Sequence, residues 1–144
     1  ILGDAHDMPF NGEQFDCIIA SEVIEHLHSP WEFINAARKL LLPNGKLLIT
    51  VPFMFHNHGD PHDYWRPTKS CLMRLLSEYT DVRIWVNGNR LHSIFDLITT
   101  TNMFFRIFFP LRIFNHLFKL LPSVHVSNEH ESTAPTGYLI TCIK

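Results

Sequence analysis

The densest group of chemically able side chains runs His56-Asn57-His58-Gly59-Asp60-Pro61-His62-Asp63-Tyr64-Trp65-Arg66-Pro67-Thr68. Three histidines and two aspartates offer the nitrogen and oxygen donors that hold divalent metals. Tyr64, Trp65 and Arg66 suit a hydroxylated ring through stacking and charge-assisted hydrogen bonds, and the His62-Asp63 pair could serve an acceptor group beside them. The competing reading places Trp65 in the core and pairs Arg66 locally. A second candidate is His26, one turn on from Glu22 and beside Glu25. An imidazole there could take a proton from a hydroxyl, or it could be an ordinary hydrogen-bonded structural residue.

These side chains need elements to position them. Phe15-Asp16-Cys17-Ile18-Ile19-Ala20 is a short apolar run, which predicts a central strand buried on both faces of a parallel sheet. Ser29-Pro30-Trp31-Glu32 predicts a capping box opening a helix that runs to about Leu41 and is ended by Leu42-Pro43-Asn44-Gly45. Lys46 to Val51 is the next strand. Thr68 caps a further helix with Leu72, Leu75, Leu76 and Tyr79 on one face. Val82, Ile84 and Val86 alternate along a strand closed by Gly88, and Tyr138 to Ile143 forms a last strand. Strand, helix and apolar strand in that order predict an α/β class with a parallel crossover.

The composition agrees. Of 144 residues 46% are hydrophobic and 18% charged, which excludes disorder and fits one globular domain. A net charge of -2 leaves no basic field for a nucleic acid backbone, so no nucleic acid partner is expected. Cys17, Cys71 and Cys142 are odd in number and scattered, and they read as reduced core residues. No signal peptide is legible at the start, so a cytoplasmic setting is expected.

Three segments taken together resemble the class I S-adenosylmethionine-dependent methyltransferases. They are the Gly3-Asp4-Ala5 turn, the strand running into Ser21-Glu22-Val23-Ile24-Glu25-His26-Leu27, and the Leu42-Pro43-Asn44-Gly45 turn into the next strand. The resemblance covers about residues 3 to 52. It implies a Rossmann-like sheet, incomplete at its N-terminus and closed by an antiparallel last strand after a helical insertion, with methyl transfer as the reaction and S-adenosylmethionine as cofactor. It also implies that Asp4 accepts from the adenine amino group, that the Ala5 amide meets a ring nitrogen, that Met8 covers the adenine, and that Ser21 and Glu22 lie under the methionine portion. The segment from His62 to Thr68 resembles the acceptor side of methyltransferases of glycan and cell-surface pathways. That implies Tyr64, Trp65 and Arg66 as substrate-binding residues and His26, His62 and Asp63 as catalytic candidates, with a small-molecule, glycan or lipid-linked acceptor. Such enzymes also need a glycine-rich loop, and the six glycines here contain no G-x-G. The expectation is a partial domain over residues 1–144, lacking half of its cofactor pocket and inactive alone.

Two features fall outside this reading. His56-x-His58-x-Asp60-Pro61-His62 resembles the ligand loop of metallo-β-lactamase-type hydrolases, but Pro61 stands where those have histidine. No metal is therefore assigned, and a metal-dependent hydrolase is the alternative function. The stretch 89–136 is too long for a plain loop and reads as a helical insertion within the domain. A helix from Pro110 to Leu121 would carry a broad apolar face opposite Arg112, Asn115, His116 and Lys119. That face is either a lid on the domain or, through 103–121, a peripheral contact with a membrane surface. A non-catalytic membrane-docking module is a further alternative.

Overall fold

The computed structural model describes residues 2–10, 12–59, 62–100, 113 and 134–144. Among them are strand β1 (Phe15–Ser21), a 3-10 turn (Ile24–His26), helix α1 (Pro30–Leu40), β2 (Leu41–Pro52), α2 (Lys69–Leu75), β3 (Thr80–Asn87), α3 (Arg90–Thr100) and β4 (Gly137–Ile143). The strands form one sheet in the order β1-β2-β4-β3. β2 pairs with β1 in parallel, and β4 runs antiparallel to both β2 and β3, so the last strand inserts between two earlier ones. The α/β class, the parallel crossover and the closing antiparallel strand agree with the sequence.

Leu47, Ile49 and Val51 of β2 and Ile140 and Cys142 of β4 are at most 1% exposed, and they share a core with Phe33, Ile34 and Ala37 of α1 and Leu72 and Leu76. Complete burial of side chains such as Phe33 and Ile34 stabilises by about 1.5–3 kcal/mol each. Of the face read after Thr68, Leu72 is buried in α2 and Leu75 partly so, while the buried Leu76 and Tyr79 lie just past the helix end, where the Tyr79 hydroxyl donates to the Ile34 carbonyl at 3.0 Å. Thr68 caps α2, its Oγ1 accepting from Cys71 N at 3.3 Å.

Four expectations are corrected. β1 is an edge strand among the described residues, not a central one, and Ile19 is 70% exposed; with no strand on its far side, its apolar run is only partly covered. Cys17 is exposed with it, Cys71 is exposed on α2, and only Cys142 is a core residue. Ser29 stands before α1 but gives no side-chain cap, because its Oγ is bonded to His28 Nδ1 at 2.8 Å. Pro43-Asn44-Gly45 does not separate helix from strand by a loop. β2 begins at Leu41, and the turn is absorbed as an irregularity in its pairing with β1, with Asn44 at φ 63.

α3 adds an element that the apolar pattern left undivided. Asn89 Oδ1 accepts from Leu91 N and His92 N at its start, and Ser93 Oγ donates to the Ala134 carbonyl at 2.8 Å. The helix expected from Pro110 to Leu121, and with it the choice between lid and membrane contact, lies outside the described residues apart from Ile113. No described helix is long and apolar enough to cross a membrane.

Candidate active site at the strand ends

Parallel strands β1 and β2 end side by side, and the chain leaves β1 through Ser21-Glu22. Ser21 Oγ and Thr50 Oγ1 share a hydrogen bond at 3.0 Å, and the Glu22 amide donates to both the carbonyl and Oγ1 of Thr50, each at 3.1 Å. These bonds hold Glu22 at φ 53, a left-handed conformation that costs an L-residue about 1–2 kcal/mol. Strain of this kind persists where the surroundings fix it, and it collects at functional sites. Glu22 lines a crevice with Thr50, Phe55, Asp96 and Tyr138, at the carboxyl ends of the strands where open α/β sheets take their ligands.

The Asp4 turn is held by Asp7 N donating to the Asp4 carbonyl at 3.1 Å. Asp4 Oδ1 accepts from both the backbone N and Nδ1 of His6, each at 2.9 Å, and these bonds lower its pKa. The carboxylate stays largely exposed, whereas Ala5 and Met8 are partly buried against the core. The turn is therefore anchored by its apolar side chains and presents its charge outward.

After β2 the chain crosses back over the 3-10 turn. Tyr64 N donates to the Glu25 carbonyl at 2.7 Å, Trp65 Nε1 to the Leu27 carbonyl at 2.6 Å, and His26 Nδ1 lies 2.7 Å from the His62 carbonyl. His26 is thus joined to the second loop through its ring. The His62 and Asp63 side chains, expected to act as a pair, go different ways. The His62 ring tilts against Tyr64, with centroids 5.3 Å apart. Asp63 accepts a two-pronged ion pair from Arg66 and a bond from His58 N at 2.9 Å, and the guanidinium pulls its pKa down to about 2. An acid held this far down is a structural anion.

Arg66 is occupied likewise, donating to the carbonyls of Trp65 and His56 as well as to Asp63. The local ion pair given as the competing reading for Arg66 is the arrangement found. Trp65 meets Trp31 edge-on at 6.1 Å, and Tyr64 remains 48% exposed. A cleft lined by Phe55, Asn57, Asp63, Tyr64, Trp65 and Arg66 lies alongside, so the three expected acceptor-side residues do share one concavity.

The loop histidines do not converge as the hydrolase alternative requires. His56 and His58 rings are 6.0 Å apart, His62 turns to Tyr64, and Asp60 lies outside the described residues. His58 instead meets Glu25 and His26, with ligand-type atoms of all three within 4.8 Å of one another. Sequence reasoning missed Glu25 and His58 as partners. Their separation of 33 positions carries no motif; the one available signal was an acid beside a histidine between the apolar Ile24 and Leu27.

The sequence model described as "Methyltransferase domain" matches residues 1–49. A ubiquinone biosynthesis O-methyltransferase of Cereibacter sphaeroides is 39% identical over 47 residues, 33% of this chain and 19% of that protein. The chain spans 15–19% of the length of the curated relatives it matches. Among solved structures, an S-adenosylmethionine-dependent methyltransferase from Thermotoga maritima superposes with a TM-score of 0.59 at 13% identity, over 99% of this chain and 62% of that one. Phosphoethanolamine N-methyltransferase 2 of Haemonchus contortus gives 0.57 at 14% identity, over 98% and 36%. At such identities the superpositions establish the fold alone, and the sequence match is confined to the first third of the chain. Residues 1–49 match a methyltransferase-domain model, and the chain shares the Rossmann-like fold of the S-adenosylmethionine-dependent methyltransferases on which it superposes.

Proposed function

We propose that this chain is part of an enzyme that transfers a methyl group from S-adenosylmethionine to a hydroxyl of a small-molecule or glycan-type acceptor. The observation that carries the reading is the strained Glu22 at the end of β1, locked to Thr50 and lining the crevice. Relatives named as O-methyltransferases support an oxygen acceptor.

The residues present fit one side of the cofactor. Asp4 offers an exposed carboxylate on a fixed turn, Met8 an apolar flank, and Ser21-Glu22 a polar strand end. When bound, the cofactor supplies an electrophilic methyl on a sulfonium. The chain's own work is to hold the two reactants in line and to exclude competing water. Asp4 and the Ala5 amide would hold adenine, and Ser21 and Glu22 the amino-acid end. Tyr64 and Trp65 would flank the acceptor. His26 is the group suited to take the acceptor's proton, since its Nδ1 is engaged by the His62 carbonyl and Nε2 is left to accept. Asp63 and Arg66 neutralise one another and position the loop.

We infer weak cofactor binding by this chain alone, because no G-x-G loop is present to meet the methionine and ribose parts. Ligand-observed NMR with S-adenosylhomocysteine detects such binding. Asp4→Ala and Glu22→Ala should each weaken it at least about fivefold. Binding that ignores both substitutions would overturn this placement of the cofactor.

A further inference from the structure

The Glu25 side chain is wholly buried, yet neither of its carboxylate oxygens has a hydrogen-bond partner among the described residues. A buried carboxyl without partners is costly. What faces it is the ring of His26, with Nε2 3.7 Å from Oε1. The His62 carbonyl can only accept, so the hydrogen of the neutral His26 imidazole sits on Nδ1 and the lone pair on Nε2. Two acceptors therefore point at one another across a gap too wide for a hydrogen bond.

The third member, His58, is held from behind. Its Nδ1 is 3.4 Å from both Asp63 Oδ2 and the Arg66 guanidinium, and Arg66 fixes that carboxylate in turn. A carboxylate behind an imidazole is the arrangement that orients histidines bound to metals. The His26 and His58 rings meet edge-on at 5.3 Å, and the chain between them passes close because residue 59 is glycine. At φ +126, a Cβ on Gly59 would come within 2.6 Å of His26 Cε1.

We propose that Glu25, His26 and His58 bind one divalent transition-metal ion, with zinc the best match to two imidazoles and a carboxylate. The ion supplies the positive charge that the Glu25 carboxylate lacks. It also separates the facing acceptors of Glu25 and His26. Donor atoms around tetrahedral zinc stand about 3.4 Å apart, so the present spread of up to 4.8 Å closes by small rotations of the half-exposed imidazoles. Three protein ligands leave a position open on the imidazole side for water or an acceptor oxygen. With the ion bound, His26 Nε2 is a ligand and no longer the base proposed above; the binding itself is tested without methyl transfer.

The test is titration calorimetry of the full chain with zinc chloride, together with Co2+ absorption spectra and the melting temperature with and without zinc. One equivalent should bind and raise the melting temperature. Glu25→Gln and His58→Gln should each weaken binding at least tenfold and remove the thermal shift, while His28→Gln should leave both unchanged. Glu25→Gln keeps the shape and removes only charge, so it reports on the site even if His58→Gln folds poorly. No saturable binding of Zn2+ or Co2+ to the folded wild-type chain would overturn the proposal and leave a proton as the group that Glu25 holds. Binding unaffected by Glu25→Gln would overturn it equally, by assigning the ion to other histidines. Because neither readout involves the methyl donor, failure here is distinguishable from failure of the methyltransferase reading.

Discussion

The indole N–H of Trp65 donates to the carbonyl of Leu27 over 2.6 Å, and this bond ties the loop after β2 to the turn after β1. Leu27 closes the 3-10 turn, with its own amide bonded to Ile24 O at 3.3 Å. The indole therefore fixes the spacing between His26 and the His58–Arg66 segment. Trp65→Phe keeps the contact with Trp31 but leaves the Leu27 carbonyl unpaired. It should cost about 1–2 kcal/mol in urea unfolding. An unchanged midpoint would show that solvent replaces the indole.

Asp63 and Arg66 set the response to acid. The folded pKa of Asp63 is depressed to about 2 from an ordinary 3.8, so its ion pair stabilises the fold above about pH 4 and is lost as pH falls toward 2. That shift corresponds to about 2 kcal/mol at most. Asp63→Asn should lower stability at neutral pH and flatten the acid limb of the stability curve by that amount, as followed by thermal melts from pH 7 to pH 2. An acid limb identical to wild type would show that other carboxylates govern it.

Glu22 separates stability from function. At φ 53 a glycine relieves backbone strain, so Glu22→Gly should raise the folding free energy by up to about 1 kcal/mol, while any binding of S-adenosylhomocysteine weakens. Glu22→Ala retains the strain and loses only the carboxylate. A loss of stability in Glu22→Gly, measured by denaturant titration, would show that the Glu22 side chain contributes more to the turn than relief of its backbone strain returns, since the amide bonds to Thr50 are kept.

The three cysteines should differ in reactivity. Cys142 is buried, its thiol pushed up to about 12 by desolvation, with Sγ against the Leu47 carbonyl at 3.8 Å. Cys17 and Cys71 are exposed. Iodoacetamide at pH 8 should label Cys17 and Cys71 in the folded chain and Cys142 only after denaturation, read by peptide mass mapping. Equal labelling of all three in native buffer would contradict the position of β4 in the sheet.

Much of this molecule was legible in its order of residues. Hydrophobic periodicity is a local property, so it marked β2, α2, β3 and β4 and the α/β class, and the Thr68 cap was read from one residue and its neighbours. The run from Asp4 through Glu22 to the Pro43-Asn44-Gly45 turn inside β2 was legible as a resemblance because it is a set of residue types at fixed distances along the chain, and it lies within the matched residues 1–49. What the sequence by itself could not determine was pairing across the fold. Whether β1 is an edge depends on which strand lies beside it, and the exposure of Ile19 and Cys17 follows from that alone. The His62-Asp63 pair, adjacent in sequence, is parted because the backbone aims consecutive side chains apart, sending Asp63 to Arg66 and His58. Glu25 and His58, far apart along the chain, are brought together because β1 and β2 run in parallel and release their loops at the same end of the sheet. Only that geometry makes the buried acid, with no hydrogen-bond partner among the described residues, and two imidazoles a single site.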